Sequence, residues 1–176
     1  MSIDWFGKAF DFTIGAEGGY VDNSSDPGGE TNFGISKRSY PKEDIKGMIV
    51  ERARGIYYKD YWLPTYCEEL VDINKPLTAI VVFDTSVNCG NANTRMLLQM
   101  AVGVKADAMI GKHTKAAIEL HKDMDLVEKV LEQRQKYYKL IISKNKKLKE
   151  FENGWYNRIA LLKKKVNEIN EINKRG

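Results

Sequence analysis

Cysteine and histidine are scarce in this chain, and each shortage narrows the functions that we expect. The 176 residues include two cysteines and two histidines. Cys67 and Cys89 belong to no CxxC pair, so the sequence predicts free buried thiols rather than a disulfide or a catalytic role. His113 and His121 stand outside any HExxH motif, so metallopeptidase chemistry has no support and no metal site is expected.

Long apolar runs are also missing from the sequence. No window approaches the roughly 18–20 apolar residues that a membrane-spanning helix needs. The segment Met1–Lys8 does not join a basic start to an apolar stretch, so we expect synthesis in the cytoplasm without a signal peptide and no stable membrane insertion. Because 43% of the residues are apolar, the chain can bury a core as one domain or as two small packed lobes.

Charge is divided unevenly along the chain, although the net charge is only +4. Residues 1–128 hold 14 Lys and Arg against 19 Asp and Glu, whereas residues 129–176 hold 14 against 5. The basic C-terminal region is either a solvated helix surface or a surface that attracts a polyanion such as an anionic cell-wall polymer. Aromatic residues that could stack on bases are sparse there and no nucleic-acid motif occurs, so nucleic acid is not an expected partner.

Helical periodicity dominates the sequence and predicts a mainly α fold. Asp4 is the expected N-cap of a first helix that ends at Glu17, with Gly18 and Gly19 as its C-cap. Residues 77–83 are apolar all round, which predicts a central helix enclosed by the others, with a strand as the alternative. A small β-hairpin is expected where residues 19–21 pair with residues 32–35. Further helices are predicted at about 43–60, 77–89, 91–102, 112–121, 124–143 and 155–173.

Residues 17–35 contain the side chains that are typical of glycoside hydrolysis. A helix C-terminus and apolar neighbours would raise the pKa of Glu17, which makes it the candidate general acid. Hydrolysis also needs a second carboxylate on the other face of the sugar, for which Asp26 is the candidate, with Thr31 orienting the water. Asp26 as a plain turn former remains an open alternative, and Glu30 is a rival second carboxylate.

Two polar residues on the predicted central helix form a further candidate site. Asp84 and Asn88 are four residues apart and therefore share one helix face. They either line the floor of a substrate cleft or belong to a buried capping network. Both readings stay open at the level of the sequence.

Several segments together resemble glycoside hydrolase family 108, the N-acetylmuramidases of phage endolysins and prophage-bearing bacteria. Residues 16–21 (AEGGYV), 26–36 (DPGGETNFGIS) and 83–90 (FDTSVNCG) resemble its catalytic region. Residues 98–99, 107–114 and 154–158 resemble the C-terminal predicted peptidoglycan domain that accompanies it. The resemblance thus extends over almost the whole chain.

This resemblance implies a lysozyme-like helical fold that cleaves the β-1,4 bond between N-acetylmuramic acid and N-acetylglucosamine, with Glu17 as the acid. It implies a catalytic region at residues 1–93 and a peptidoglycan-binding region at residues 94–176. Peptidoglycan is the implied partner of a monomer without a cofactor, which acts at the cell wall or periplasm after release through a holin. The candidate substrate-binding residues are Tyr20, Glu30, Asp84 and Asn88.

The chain departs from the family pattern at two positions. Four residues separate Asp26 from Thr31, where the better-known phage lysozymes have five. Ala108 follows Asp107 where the pattern has glycine, and because alanine disfavours positive φ we expect this turn to differ. Two other functions remain open: a lytic transglycosylase, and a non-catalytic wall-binding or secretion-accessory protein on the same fold.

Overall fold

The computed structural model describes residues 3–15, 19–22 and 29–175, and this part of the chain is mainly helical, as predicted. Two short strands, β1 (Thr31–Asn32) and β2 (Ile35–Ser36), form the small antiparallel sheet. The helices are α1 (Trp5–Ile14), α2 (Val50–Tyr57), α3 (Cys67–Asp72), α4 (Pro76–Cys89), α5 (Asn91–Ala101), α6 (Lys112–Glu119), α7 (Asp123–Lys144) and α8 (Glu152–Arg175).

Helix α4 forms the centre of the core. Eleven of its 14 residues are buried, and α1, α3, α5, α7 and α8 all pack against it. This confirms the enclosed central helix and excludes the alternative of a strand. Its N-terminus is capped from another helix, because the carboxylate of Asp123 accepts hydrogen bonds from the N–H groups of Leu77 and Thr78, both at 2.9 Å.

Helix α1 begins as predicted but ends earlier than predicted. The Asp4 carboxylate accepts a 2.7 Å hydrogen bond from the N–H of Gly7, which confirms the N-cap. The helix ends at Ile14, because Gly15 takes a φ of 75° and redirects the chain. The expectation that the helix reaches Glu17 was therefore wrong, and the dipole of α1 no longer accounts for a raised pKa of that carboxyl group.

The helix predicted at 43–60 is shorter and less regular than expected. Gly47 donates to the Asp44 side chain in a turn and Ile49 is extended, so α2 begins at Val50. After α2 the chain forms a π-helical turn at Tyr58–Trp62 and a 3-10 turn at Leu63–Thr65. Helix α3 follows directly and was not predicted.

The small hairpin exists, but its pairing differs from the prediction. Thr31 pairs with Ser36 and Asn32 pairs with Ile35, so residues 32–35 form the turn of the hairpin rather than one of its strands. Residues 19–21 contribute only a single bridge, between Val21 and Thr31. The reason is the turn itself, since Phe33 and Gly34 both have positive φ, 49° and 74°, as a two-residue hairpin turn requires.

The remaining helices lie within three residues of their predicted bounds. Cys67 and Cys89 are free and buried, as expected. The predicted boundary at residues 93 and 94 falls inside α5, and one continuous core includes buried residues from both sides of it, so the two-region division stays a prediction. Among the described residues, none of the helices combines the length and apolar character needed to cross a membrane.

Candidate active site

The predicted catalytic residues are only partly within the described structure. Glu17 and Asp26 lie outside the described residues. Thr31 and the predicted substrate-binding residues Tyr20, Glu30, Asp84 and Asn88 are described.

Backbone pairing joins Val21 and Thr31, which flank the segment that contains Asp26. Val21 and Thr31 exchange two backbone hydrogen bonds of 2.8 Å each, so the chain leaves and returns at one place. Because Thr31 also pairs with Ser36, it stands between two neighbouring segments. Thr31 is half-buried, while the next residue, Asn32, is buried on the opposite face of the strand.

Tyr20 and Glu30 lie side by side next to the bridge between Val21 and Thr31. The Tyr20 hydroxyl donates a 3.0 Å hydrogen bond to Oε2 of Glu30. Partial desolvation and the bond to Glu30 raise the pKa of Tyr20 to about 12, so the phenol remains a proton donor at neutral pH. The sequence grouped both residues as substrate contacts, and the structure places them together.

Side chains from outside the hairpin hold its turn. The Tyr57 hydroxyl donates a 3.0 Å hydrogen bond to the carbonyl oxygen of Phe33. A Cβ atom on Gly34 would lie 2.8 Å from that hydroxyl oxygen, so glycine is needed there both for its φ and for the close approach. The buried Asn32 amide donates to the carbonyl oxygen of Ile45 at 3.1 Å. No local sequence pattern indicated these contacts.

A second external support involves the π-helical turn. The Tyr40 hydroxyl donates to Oδ2 of Asp60 at 3.0 Å, and the Asn91 amide donates to the carbonyl oxygen of Asp60 at 2.8 Å. Desolvation and the hydrogen bond to Asp60 raise the pKa of Tyr40. The segment after the hairpin is thereby tied to the start of α5.

Asp84 does not line a cleft floor, which corrects the first of its two sequence readings. Its side chain has no exposed surface, so it cannot contact a substrate directly. Its Oδ2 accepts a 2.6 Å bond from Arg134, and its Oδ1 accepts bonds from Arg158 at 2.5 Å and Thr13 at 3.2 Å. The buried-network reading describes it. Asn88 is exposed, and its amide donates to the Asp84 carbonyl oxygen at 2.8 Å, so its role as a substrate contact stays a prediction.

Two arginines therefore share one buried carboxylate. Arg134 is fully buried and also donates from Nε to the Tyr138 hydroxyl at 3.0 Å. Burial, the largest single cause, would lower the pKa of Arg134, but the charge of Asp84 together with Tyr138, Cys89 and the hydrogen bond to Asp84 raises it above its usual value. Arg158 further donates from Nη2 to the carbonyl oxygen of Thr13, at 2.9 Å, in the last turn of α1. No sequence pattern connects either arginine with Asp84.

The turn at Asp107 and Ala108 keeps the geometry that glycine would give, contrary to the expectation. Ala108 takes a φ of 62°. The buried side chain of Gln99 makes this possible, because its Oε1 accepts from the N–H groups of Asp107 and Ala108 at 3.0 and 2.8 Å. Its Nε2 donates to Oδ1 of Asp107 at 2.9 Å and to the Met109 carbonyl oxygen at 3.1 Å.

Comparison with known proteins agrees with this architecture. The solved structure of Brucella abortus SagA matches with a TM-score of 0.75 and 26% sequence identity, over 93% of this chain and 94% of that one. Among curated proteins, a sequence comparison finds no match. Residues 10–90 match the family model described as Glycosyl hydrolase 108, and residues 92–160 match the one described as Predicted Peptidoglycan domain. The two matches together identify a peptidoglycan-acting protein of lysozyme-like fold, with a glycosyl hydrolase 108 region at residues 10–90 and a predicted peptidoglycan domain at residues 92–160.

Proposed function

We propose that this protein is an N-acetylmuramidase that hydrolyses the β-1,4 bond between N-acetylmuramic acid and N-acetylglucosamine, with Glu17 as the general acid. The observation that carries the proposal is the family match over residues 10–90, which contains the whole segment from Glu17 to Thr31. The described residues on either side of Glu17 in the chain also support the proposal. Glu17 lies between two fixed points of the chain, the end of α1 at Ile14 and the bridge at Val21.

The second carboxylate in this proposal is Asp26, on the opposite side of the scissile bond, with Thr31 orienting the water. The bridge between Val21 and Thr31 supports it, because it joins the residues that flank Asp26 at a point four residues after Glu17 along the chain. Glu30 is the weaker candidate, since its carboxylate already accepts a bond from Tyr20. We assign Tyr20, Glu30 and Asn88 to substrate binding.

Substitution separates the two roles that Asp26 could have. If Asp26 activates water or stabilises charge, Asp26→Asn should lower kcat far more than it changes KM. If Asp26 only forms a turn, the variant should lose thermal stability and keep its activity per folded molecule. Steady-state kinetics beside a thermal unfolding curve distinguishes these results.

The experiment that tests the proposed activity is digestion of purified peptidoglycan, followed by mass spectrometry of the new sugar ends. The proposal expects reducing N-acetylmuramic acid ends. Reducing N-acetylglucosamine ends would mean that the other glycosidic bond is cut, and anhydro ends would identify a lytic transglycosylase. Binding to peptidoglycan without any new ends would identify a non-catalytic wall-binding protein.

We also propose that the basic C-terminal region adds an electrostatic attraction to anionic cell-wall polymer. Two of its 14 basic residues, Arg134 and Arg158, form ion pairs with the buried carboxylate of Asp84. The rest include a cluster around the end of α7, where Lys139, Lys144, Lys146 and Lys147 are exposed. Surface attraction of this kind weakens with salt, because charges are screened beyond about 8 Å at physiological ionic strength.

Sedimentation with purified cell walls tests this attraction. The bound fraction of wild-type protein should fall between low and high salt. Changing these four lysines to glutamine should lower binding at low salt more than changing Lys163, Lys164 and Lys165, since Lys163 is already paired with Glu128 at 2.7 Å. A bound fraction that responds to neither salt nor substitution would leave the basic region as a solvated surface.

A further inference from the structure

We infer that Arg158 is a positioning residue for catalysis, which fastens the last turn of α1 to the buried carboxylate of Asp84; Thr13 in that turn lies four residues before Glu17. The inference rests on the proposed function, because Glu17 is the group whose position matters. It assigns a role to a side chain of α8 that lies 141 positions further along the sequence than Glu17.

The first observation is how the last turn of α1 is held. The final carbonyl groups of a helix lack partners within the helix and must find them elsewhere. Arg158 supplies one, because its Nη2 donates to the carbonyl oxygen of Thr13 at 2.9 Å. The Thr13 hydroxyl donates to Oδ1 of Asp84 at 3.2 Å. The turn is therefore fastened to α4 and α8 through both its backbone and a side chain.

The second observation is that Arg158 is itself held in place. Its Nε and Nη2 both donate to Oδ1 of Asp84, at 3.0 and 2.5 Å, so the planar guanidinium has a defined orientation. Asp84 has no exposed surface, and Arg134 holds its other oxygen. The guanidinium also lies 5.8 Å from the centre of the Phe12 ring. Because the Asp84 carboxylate is buried and bound by both arginines, it holds the Arg158 guanidinium in a fixed position.

The third step links this anchor to the candidate acid. Thr13 and Glu17 are four residues apart, so the chain between them spans at most about 14 Å. On the other side of Glu17 the next anchor is the Val21–Thr31 bridge. A displacement of about 1 Å in an active site can lower turnover by about 10²-fold, so we expect turnover to fall when either anchor is lost.

Arg54 provides a matched control, since it is also an arginine bound to α1. Its side chain is 31% exposed, the same fraction as that of Arg158. It pairs with Asp4 at 3.0 Å, at the N-terminal end of the helix, and its guanidinium lies over Phe6 and Phe10. Arg54 also lies 4.0 Å from the exposed carboxylate of Asp11, but its closer ion pair is with Asp4, so Arg54→Ala mainly removes a contact at the end of α1 that is remote from Glu17.

The experiment compares Arg158→Ala, Arg158→Lys and Arg54→Ala at a temperature where all three are folded. Soluble peptidoglycan glycan chains serve as substrate, and hydrogen exchange is followed in peptides covering α1. We expect Arg158→Ala to lower kcat by 10- to 100-fold with KM within about twofold, and to speed exchange in the last turn of α1. Arg158→Lys should recover part of kcat, because one ammonium group can reach Thr13 or Asp84 but lacks the fork that reaches both.

Arg54→Ala should lower thermal stability and leave kcat within about twofold of wild type. An unchanged kcat in Arg158→Ala, or an equal fall in both alanine variants per folded molecule, would overturn the positioning role. If wild-type protein produces no new sugar ends, the proposed function fails instead. In that case unchanged exchange in Arg158→Ala would also overturn the anchor itself.

Discussion

Residues 19–36, beside the candidate acid, and residues 99–111, in the C-terminal half, each contain a tight turn with a non-glycine residue at positive φ. The first is held from outside, by the hydroxyl of Tyr57 and by the carbonyl oxygen of Ile45. The second wraps around one of its own side chains, the buried amide of Gln99. The same local strain is thus stabilised by distant groups in one loop and by a local group in the other.

This difference determines which polar groups each loop can offer a ligand. A loop held from behind keeps its own polar side chains available, as Tyr20 and Glu30 are on the exposed side of the first loop. A loop that turns its backbone N–H groups inwards gains rigidity and uses up its polar groups. The first arrangement suits residues that must meet a polymer, and the second suits a fixed scaffold.

The largest effect is expected at Asp84, which joins helices from both halves of the chain. Asp84→Ala leaves two arginines without their shared carboxylate, one of them fully buried, and should lower the free energy of unfolding by about 3–5 kcal/mol. Urea unfolding measures this fall in the free energy of unfolding. Asp11→Ala is the control, because Asp11 is exposed and 4.0 Å from Arg54, and it should change stability by less than about 0.5 kcal/mol. A loss below about 1 kcal/mol for Asp84→Ala would mean that the two halves are not joined through this carboxylate.

The next effect tests whether Gln99 organises the second loop by itself. Gln99→Ala removes the acceptor of two backbone N–H groups and should lower the free energy of unfolding by about 1–3 kcal/mol. Activity per folded molecule should be unchanged, because the first loop is held by other groups. Thermal unfolding and peptidoglycan digestion check both statements, with Gln135→Ala on α7 as the control for loss of a glutamine. A fall in activity equal to that of an active-site variant would show that the two loops are coupled.

The smallest effect concerns the strained residue of the second loop. Ala108→Gly should raise the free energy of unfolding by about 0.5–1 kcal/mol, because relief of strain at positive φ exceeds the added entropy of the unfolded chain. Ala106→Gly, two residues away, should instead lower it by about 0.4–1 kcal/mol. The difference between the two unfolding midpoints is the measurement. If both glycines destabilise equally, the backbone at Ala108 is not strained.

The parts of the fold that could be predicted are those determined by local pattern. The apolar segment of α4, the Asp4 cap and the buried face of α8 all follow from neighbouring residues. Three failures share a cause, since the end of α1, the hairpin pairing and the start of α2 each depend on which one of several turn-forming residues changes the chain direction.

The candidate site divides in the same way between local and distant information. The motif from Glu17 to Thr31 is contiguous, so the sequence could identify it. The partners of Asp84 lie 50 and 74 residues away, at Arg134 and Arg158, and no spacing rule connects them. The helical fold brings them together, and only then does Asp84 change from a candidate substrate contact into part of a buried network.

The role of Glu17 as proton donor is tested most directly by the turnover of purified peptidoglycan by Glu17→Gln beside Glu30→Gln. Both changes replace a carboxylate by an amide of the same shape. We expect Glu17→Gln to keep the wild-type unfolding curve and to lose at least about 10²-fold in turnover, whereas Glu30→Gln should lose less than about tenfold. Near-normal turnover by a well-folded Glu17→Gln protein would contradict it.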